Sequence, residues 1–422
     1  MARKMKDSGI EWIGEIPEGW EIGQIGQLYS ERRTKVSDKD YPPLSVTMKG
    51  ILPQLSTAAK TDAHDDRKLV CKGDFAINSR SDRRGSCGIS EQDGSISLIN
   101  TVLQPRGEMN PGYYNWLFHT SMFADEFYKW GHGIVDDLWT TGWSDMKKIG
   151  VPVPSKCEQK QLAEHLNFEC SNIDTILSKT RSSIEEYKKL KQAVITQAVT
   201  KGVRGEREMK DSGNPWFGQI PTDWKLSRVG LHFSIILGKM LCNAPLNDTY
   251  TLEPYYCAAD VHFDGVADGE RKKMWFSPIE KDLYRVSVGD LLVVEGGAGA
   301  GGSAIVENQD SYTYIQNSIM IVRSKGNTDN RYLRYLLEFL VKQGYIDIVC
   351  NKATIPHFTK DKLSCVPFCL CPTGEQKEIA DYLDAKCAEI DRLIAKKEQL
   401  VKELEGYKKS LIYEVVTGKR EV

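Results

Sequence analysis

At 422 residues the chain is longer than one ordinary hydrophobic core supports, which calls for two domains or more. Its 56 Lys and Arg against 58 Asp and Glu leave a formal charge of −2, so no whole-chain excess of positive charge announces a nucleic-acid partner, and only the distribution of charge can carry that signal. The 11 cysteines are scattered, the N-terminal MARKMKDSG lacks an apolar signal core, and no apolar run approaches the roughly 20 residues that span a bilayer, so a reduced, cytoplasmic protein is expected.

Taken in order, the chain repeats itself. MKDSGIEWIGEIPEGW, Met5 to Trp20, returns as MKDSGNPWFGQIPTDW, Met209 to Trp224, at an offset of 209 − 5 = 204 with ten of sixteen positions identical. Trp12, Pro17 and Trp20, matched by Trp216, Pro221 and Trp224, predict an ordered opening loop pinned by buried rings. LVCKGDFAINS, Leu69 to Ser79, corresponds to VSVGDLLVVEG, Val286 to Gly296, each a GD turn feeding an apolar strand. NTVLQPR, Asn100 to Arg106, corresponds to NSIMIVR, Asn317 to Arg323, another strand, and each is followed by an aromatic-rich helical segment. The two regions close on VPVP, Val151 to Pro154, and CVPF, Cys365 to Phe368. These are two copies of one mixed α and β domain.

The copies diverge after the GD strand. The first continues SRSDRRGSCGIS, Ser79 to Ser90, and the second EGGAGAGGSAIV, Glu295 to Val306. A kept framework with divergent loops is the pattern of paired domains that do one job on different targets. Charge and loop position nominate Arg32, Arg33, Arg80, Arg83 and Arg84 as contacts to phosphates or guanine edges in the first copy. In the second they nominate Lys239, Arg271, Lys272, Lys273 and Lys352, with Gly297, Gly299 and Gly302 as a loop that allows close backbone approach. Those glycines formally satisfy GxGxxG, but SAIVE resumes as a strand and no carboxylate follows at the required distance, so a dinucleotide site is rejected. Cys365, Cys369 and Cys371 lack a second pair at zinc-ribbon spacing, and no metal is expected there.

The longest repeat joins the two. Residues Glu158 to Thr200 and Glu375 to Thr417 align without a gap at 375 − 158 = 217, with fourteen of 43 positions identical, including EQK and Cys170 with Cys387. Ile173, Leu177, Thr180, Ile184, Tyr187, Lys191, Val194 and Ala198 recur at spacings of four and three. Ile390, Ile394, Lys397, Val401, Leu404, Lys408, Leu411 and Val415 repeat the stripe. A 3.5-residue stripe with polar layers suits a coiled-coil seam, each helix after a shorter leading helix over EQKQLAEHL or EQKEIADYL; equal stripe lengths and matched polar layers favour the two helices pairing antiparallel within the chain, the alternative being that each pairs with another chain.

The arrangement MKDSGxxWxGxIPxxW, GD-turn strand and EQKxxAxxL helix, each present twice, resembles the specificity subunits of type I restriction-modification systems along essentially the whole chain. The resemblance implies an α/β fold with two similar target recognition domains, separated by two long helices in an antiparallel coiled coil with an internal pseudo-twofold. Its implied boundaries are 1–154 and 207–369 for the recognition domains, and 155–206 and 370–422 for the helical regions. It implies a non-catalytic subunit that reads one half of a bipartite, asymmetric double-stranded DNA site with each domain. Two modification subunits dock on the helices, which set the half-site spacing, and restriction subunits join them. S-adenosylmethionine, ATP and magnesium are expected on those partners, with no cofactor on this chain. Two other readings are weighed. A reader fused to its own adenine methyltransferase lacks the Asn/Asp-Pro-Pro-Tyr/Phe tetrapeptide, since Pro42 and Pro43 follow Tyr41, and no phosphate-binding GxxxxGK[ST] occurs. A coiled-coil scaffold holding two protein-binding domains is compatible with composition, and only the double arrangement of the motifs weighs against it.

Overall fold

The computed structural model describes residues 3–54, 66–133, 139–308, 312–350 and 356–422. The chain divides into two compact units, the first made of Met1–Arg181 with Glu398–Val422 and the second of Ser182–Lys397. Each unit therefore takes residues from both long helices.

In the first unit the opening motif folds as a hairpin, Met5–Asp7 with Glu15–Pro17. The strand after it, Glu21–Gln24, pairs with the closing segment Gly150–Val153, so both ends of the domain are tied together. Between them lies a four-stranded antiparallel sheet in the order Cys87–Ile89, Phe75–Asn78, Asn100–Pro105, Tyr29–Glu31. Helices Pro111–Phe118 and Ser121–Lys129 cover it, capped by Asn110 and Thr120, whose side chains accept from the backbone N–H three residues on, at Tyr113 and Phe123. The core is aromatic: Tyr29, Phe75, Tyr113, Tyr114, Phe118 and Phe123 are buried, with Phe118 and Phe123 rings 4.5 Å apart.

The second unit repeats the plan. Its opening hairpin is Met209–Asp211 with Gln219–Pro221, and Lys225–Arg228 pairs with the closing Pro367–Leu370. Its sheet runs Ser303–Ile305, Leu291–Val294, Ile319–Ser324, Phe233–Leu237, the same order as in the first unit. Helix Asn330–Lys342, capped by Asp329, covers it. One sequence alignment shifts here. Ile77 faces Thr101 and Val293 faces Met320, so the strand beginning at Asn100 matches the one beginning at Ile319, two residues beyond the match of Asn100 to Asn317. The identical Asn misleads because alternation has period two, and a slip of two keeps every side chain on its face.

The expected leading helices are not separate. Lys156–Lys201 and Thr373–Val416 are each one unbroken helix, because no Gly or Pro stands between EQK and the start of the seam at Ile173 or Ile390, and the buried stripe continues through Leu166, Cys170 and Ile173, and through Leu383, Cys387 and Ile390. Within the first unit, Asp174 accepts from Lys408 at 2.6 Å and Arg181 pairs with Glu405; within the second, Lys191 reaches Asp391 at 2.7 Å and Lys397 lies over the Tyr187 ring. In both units residue numbers fall on one helix as they rise on the other, so the helix segments run antiparallel. Ile173, Leu177, Ile184, Ile390 and Leu411 are buried, while Tyr187, Val194, Ile394, Val401 and Leu404 are half-buried. Lys191 and Lys408 form equivalent polar layers, since 191 + 217 = 408 and Asp174 + 217 is Asp391.

Candidate nucleic-acid interface

The repeated motifs hold each domain on its helix. Trp20 Nε1 donates to Glu158 at 2.9 Å, Arg3 pairs with the same carboxylate, and the Arg3 guanidinium lies 5.4 Å from the Trp20 ring centroid. Trp224, Glu375 and Arg207 repeat this clamp, with Glu375 fully buried. The neighbouring Gln159 accepts from the Asn110 N–H at 2.8 Å and donates to the Pro154 carbonyl; Gln376 does the same with Asp329 and Cys371. EQK is thus a docking motif: its Glu holds the opening hairpin and its Gln the loop before the covering helix. Arg3 and Arg207 were not singled out from sequence, although each stands two residues before MKDSG.

The GD turns are structural too. Asp74 accepts from Arg32 Nε at 2.6 Å and from the Cys71 N–H at 2.9 Å. Asp290 is held by Arg323 at 2.8 and 2.6 Å and by the Ser287 N–H. The hydrogen bond to Asp74 raises the pKa of Arg32 above its ordinary value. Arg32, named above as a candidate DNA contact, anchors its own turn in this structure. Lys239 is engaged likewise: it is only 9% exposed, donates to the Trp275 carbonyl at 2.8 Å and to Glu280 at 2.6 Å, and lies over the Tyr250 and Phe276 rings. Arg271 is engaged by Asp260 at 3.2 Å and by the Ala267 carbonyl, with Tyr256 beneath it. A basic residue in a loop can be a buried pin, and composition does not distinguish the two.

The remaining cations are displayed. Arg33 is 78% exposed beside Glu31. Arg83 and Arg84 lie exposed on the turn after strand Phe75–Asn78, paired with Asp82 and Asp125. Such solvent-exposed pairs contribute about 0 to 1 kcal/mol, so a phosphate can replace the carboxylate at little cost. Arg80 bridges Thr140 through its backbone, and the Arg84 guanidinium lies 5.0 Å from the Tyr128 ring centre, which in turn packs on Trp139. The turn is thereby fixed to the segment that follows Ser121–Lys129. Lys272 and Lys273 are exposed at the start of strand Lys273–Phe276, and Lys352 lies outside the described residues.

At the matching place in the second unit, Gly296 bridges His357, and the Gly297 N–H donates to the Pro356 carbonyl at 3.1 Å. Gly297 has φ 87° with open space where a Cβ would stand, and Gly299 is nearly as open. Gly301 has φ 83° and lies against Val341 and Ile346, so part of this loop's glycine content serves packing on its own helices. The turn returns into strand Ser303–Ile305, not into a helix.

Cys369 and Cys371 are buried and Cys365 is exposed; burial pushes the Cys369 thiol up to about 12. Cys170 and Cys387, beneath the seam lysines, are pushed up to about 11 by burial. Among the described residues no cluster of His, Cys, Asp and Glu could hold a metal ion, and no helix is long and apolar enough to cross a membrane.

Residues 222–403 match the family model described as the type I restriction modification DNA specificity domain. The chain is 25% identical to the putative type I restriction enzyme MjaX specificity subunit of Methanocaldococcus jannaschii, covering 96% of this chain and 95% of that one. It is 23% identical to the MjaVIII specificity subunit of the same organism, covering 96% and 93%. Among solved structures it is similar to a chain from work titled as the structural basis of complex assembly and conformational transition of the type I R-M system, with TM-score 0.73, 15% identity and coverage of 95% and 98%. It is also similar to the HsdS subunit from Thermoanaerobacter tengcongensis, with TM-score 0.56, 16% identity and coverage of 96% and 98%. These last two likenesses establish the fold.

Proposed function

We infer that this chain is a specificity subunit of a type I restriction-modification system, whose two units each recognise one half of a split double-stranded DNA site. The observation that carries this reading is a duplicated framework with unlike loops. The Arg–Trp–Glu clamp, the GD-turn aspartate and the sheet order recur in both units, while the turn after the GD strand is cationic in one and glycine-rich in the other. Because the two turns differ, the two half-sites differ, and the whole site is asymmetric.

The chain itself is non-catalytic in this reading. Methyl transfer and DNA translocation belong to modification and restriction subunits, which carry S-adenosylmethionine, ATP and magnesium. The exposed faces of the two long helices dock two modification subunits, and the helices set the spacing between half-sites. With a net charge of −2, the chain alone binds DNA weakly, and affinity is shared with its partners. Filter binding of the chain with its methyltransferase partner, titrated in salt, tests this. Selective retention of one DNA sequence that weakens steeply with salt is expected; equal retention of all sequences at every salt would leave the scaffold reading standing instead.

A further inference from the structure

Both units carry a small β-ribbon that the sequence comparison did not find. In the first, Leu44–Thr47 pairs with Gly50–Pro53; in the second, Val261–His262 pairs with Gly265–Val266. Thr47 faces Gly50 and His262 faces Gly265, so each ribbon turns through two residues, Met48-Lys49 in one and Phe263-Asp264 in the other. The closing glycine has positive φ in both, 102° at Gly50 and 133° at Gly265. The offset is constant at 265 − 50 = 215, which also relates Val46 to Val261 and Ile51 to Val266.

The ribbons are seated alike. Val46 and Ile51 pack against the apolar cluster that holds Ala76 and Val102, and Val261 and Val266 join the cluster that holds Leu292 and Ile321, which are the matching sheet positions. In the first unit Gly88 lies directly under Gly50, where a Cβ would come within 2.7 Å of the Gly50 Cα. The tips are braced as well: the Thr47 hydroxyl donates to the Gly50 carbonyl at 2.9 Å and accepts from the Lys49 N–H, and Arg334 donates to the Phe263 carbonyl. Gly88 is three residues past Gly85, which puts the first tip within about 10 Å of the arginine turn along the strand. In the second unit the Val261 carbonyl stands 3.6 Å from where a Gly302 Cβ would be, so this ribbon adjoins the glycine turn.

Against this fixed backbone the tip chemistry is opposite. Met48 is 71% exposed and Lys49 is exposed; Asp264 is exposed and Phe263 half-buried. A two-stranded ribbon is of the size the major groove of duplex DNA admits. Lysine donates to the O6 and N7 acceptors of guanine, aspartate accepts from the N4 amino group of cytosine, and an apolar side chain meets the methyl of thymine.

Building on the DNA-reading function above, we propose that the ribbon tips Met48-Lys49 and Phe263-Asp264 enter the major groove and read base edges, one tip in each half-site. The cationic turn beside the first tip takes phosphates and fixes its register.

The test uses the full chain co-expressed with its methyltransferase partner, in three forms: wild type, Lys49→Ala and Asp264→Ala. Both substitutions are on exposed turns and keep the glycines. Genome-wide mapping of methylated sites is read for each. Lys49→Ala is expected to relax discrimination about tenfold at one position of one half-site and leave the other half intact, and Asp264→Ala to do the same in the other half. If a variant methylates nothing, the purified complex is scored on duplexes carrying each base at each position; loss confined to one position supports the assignment, and uniform loss overturns it. An unchanged motif in both variants also overturns it. A wild-type complex that yields no split motif would instead remove the DNA-reading function itself.

Discussion

The same residue type serves opposite ends in these domains, and burial decides which. Lys239 and Arg83 are both loop cations, yet one is sealed beneath Tyr250 and Phe276 and the other is exposed. Burial pushes Glu280 up, but the Lys239 ammonium and the Ser277 donors outweigh it and hold the carboxyl below its ordinary 4.5. The pair's contribution is therefore present above that value and is lost as pH falls through the lowered one. Lys239→Met should cost about 2 kcal/mol at neutral pH and diminish the acid-linked loss, so that variant and wild type converge in stability as pH falls, as read by denaturant titrations from pH 3 to about 7. Arg83→Ala with Arg84→Ala should leave stability within about 0.5 kcal/mol and reduce the salt dependence of DNA binding. Unchanged binding at every salt would remove both arginines from the interface. The sequence could not separate these cases, because the partners of Lys239 and Arg32 lie 41 and 42 residues away.

At the scale of elements, the clamp and the seam divide the work. Glu375 is fully buried under Trp224 and Arg207, whereas the equivalent Glu158 is 24% exposed. Glu375→Gln should thus cost about 3 kcal/mol, and Glu158→Gln about 1 kcal/mol, in thermal or chemical unfolding of the full chain. Equal costs would contradict the clamp as the cause. In the seam, Lys191 and Lys408 interrupt the apolar stripe and reach Asp391 and Asp174. Lys191→Leu with Lys408→Leu should raise the melting temperature while increasing self-association on size-exclusion chromatography, because apolar layers stabilise a helix pair without fixing its register. A fall in melting temperature would show that these lysines stabilise rather than specify. The seam itself was legible, since a 3.5-residue period in 43 repeated positions is a long signal. The continuity of each helix through EQK was not, because helix-favouring residues on both sides of a motif carry no mark of where a break would fall.

For the whole molecule, duplication was readable wherever the repeat serves packing or docking, and unreadable in the turns and ribbon tips proposed to serve recognition. The opening motif and the helices keep identical residues because the same contacts recur. The ribbons keep only Val46 with Val261 and Gly50 with Gly265 in common, because the backbone is retained and the tip is free to change. The masking of shared architecture by unlike side chains is itself what two readers of different half-sites require. Inserting one helical turn into both long helices should alter the spacer of the recognised site and leave both half-sites unchanged, read by the same methylation mapping.

The most direct measurement of the central claim is the methylome of cells that express this chain with its modification subunit and no other methyltransferase. Two unlike half-sites separated by an unspecified spacer, with a modified adenine on each strand, is the predicted result; a single uninterrupted motif, or two identical halves, would contradict it.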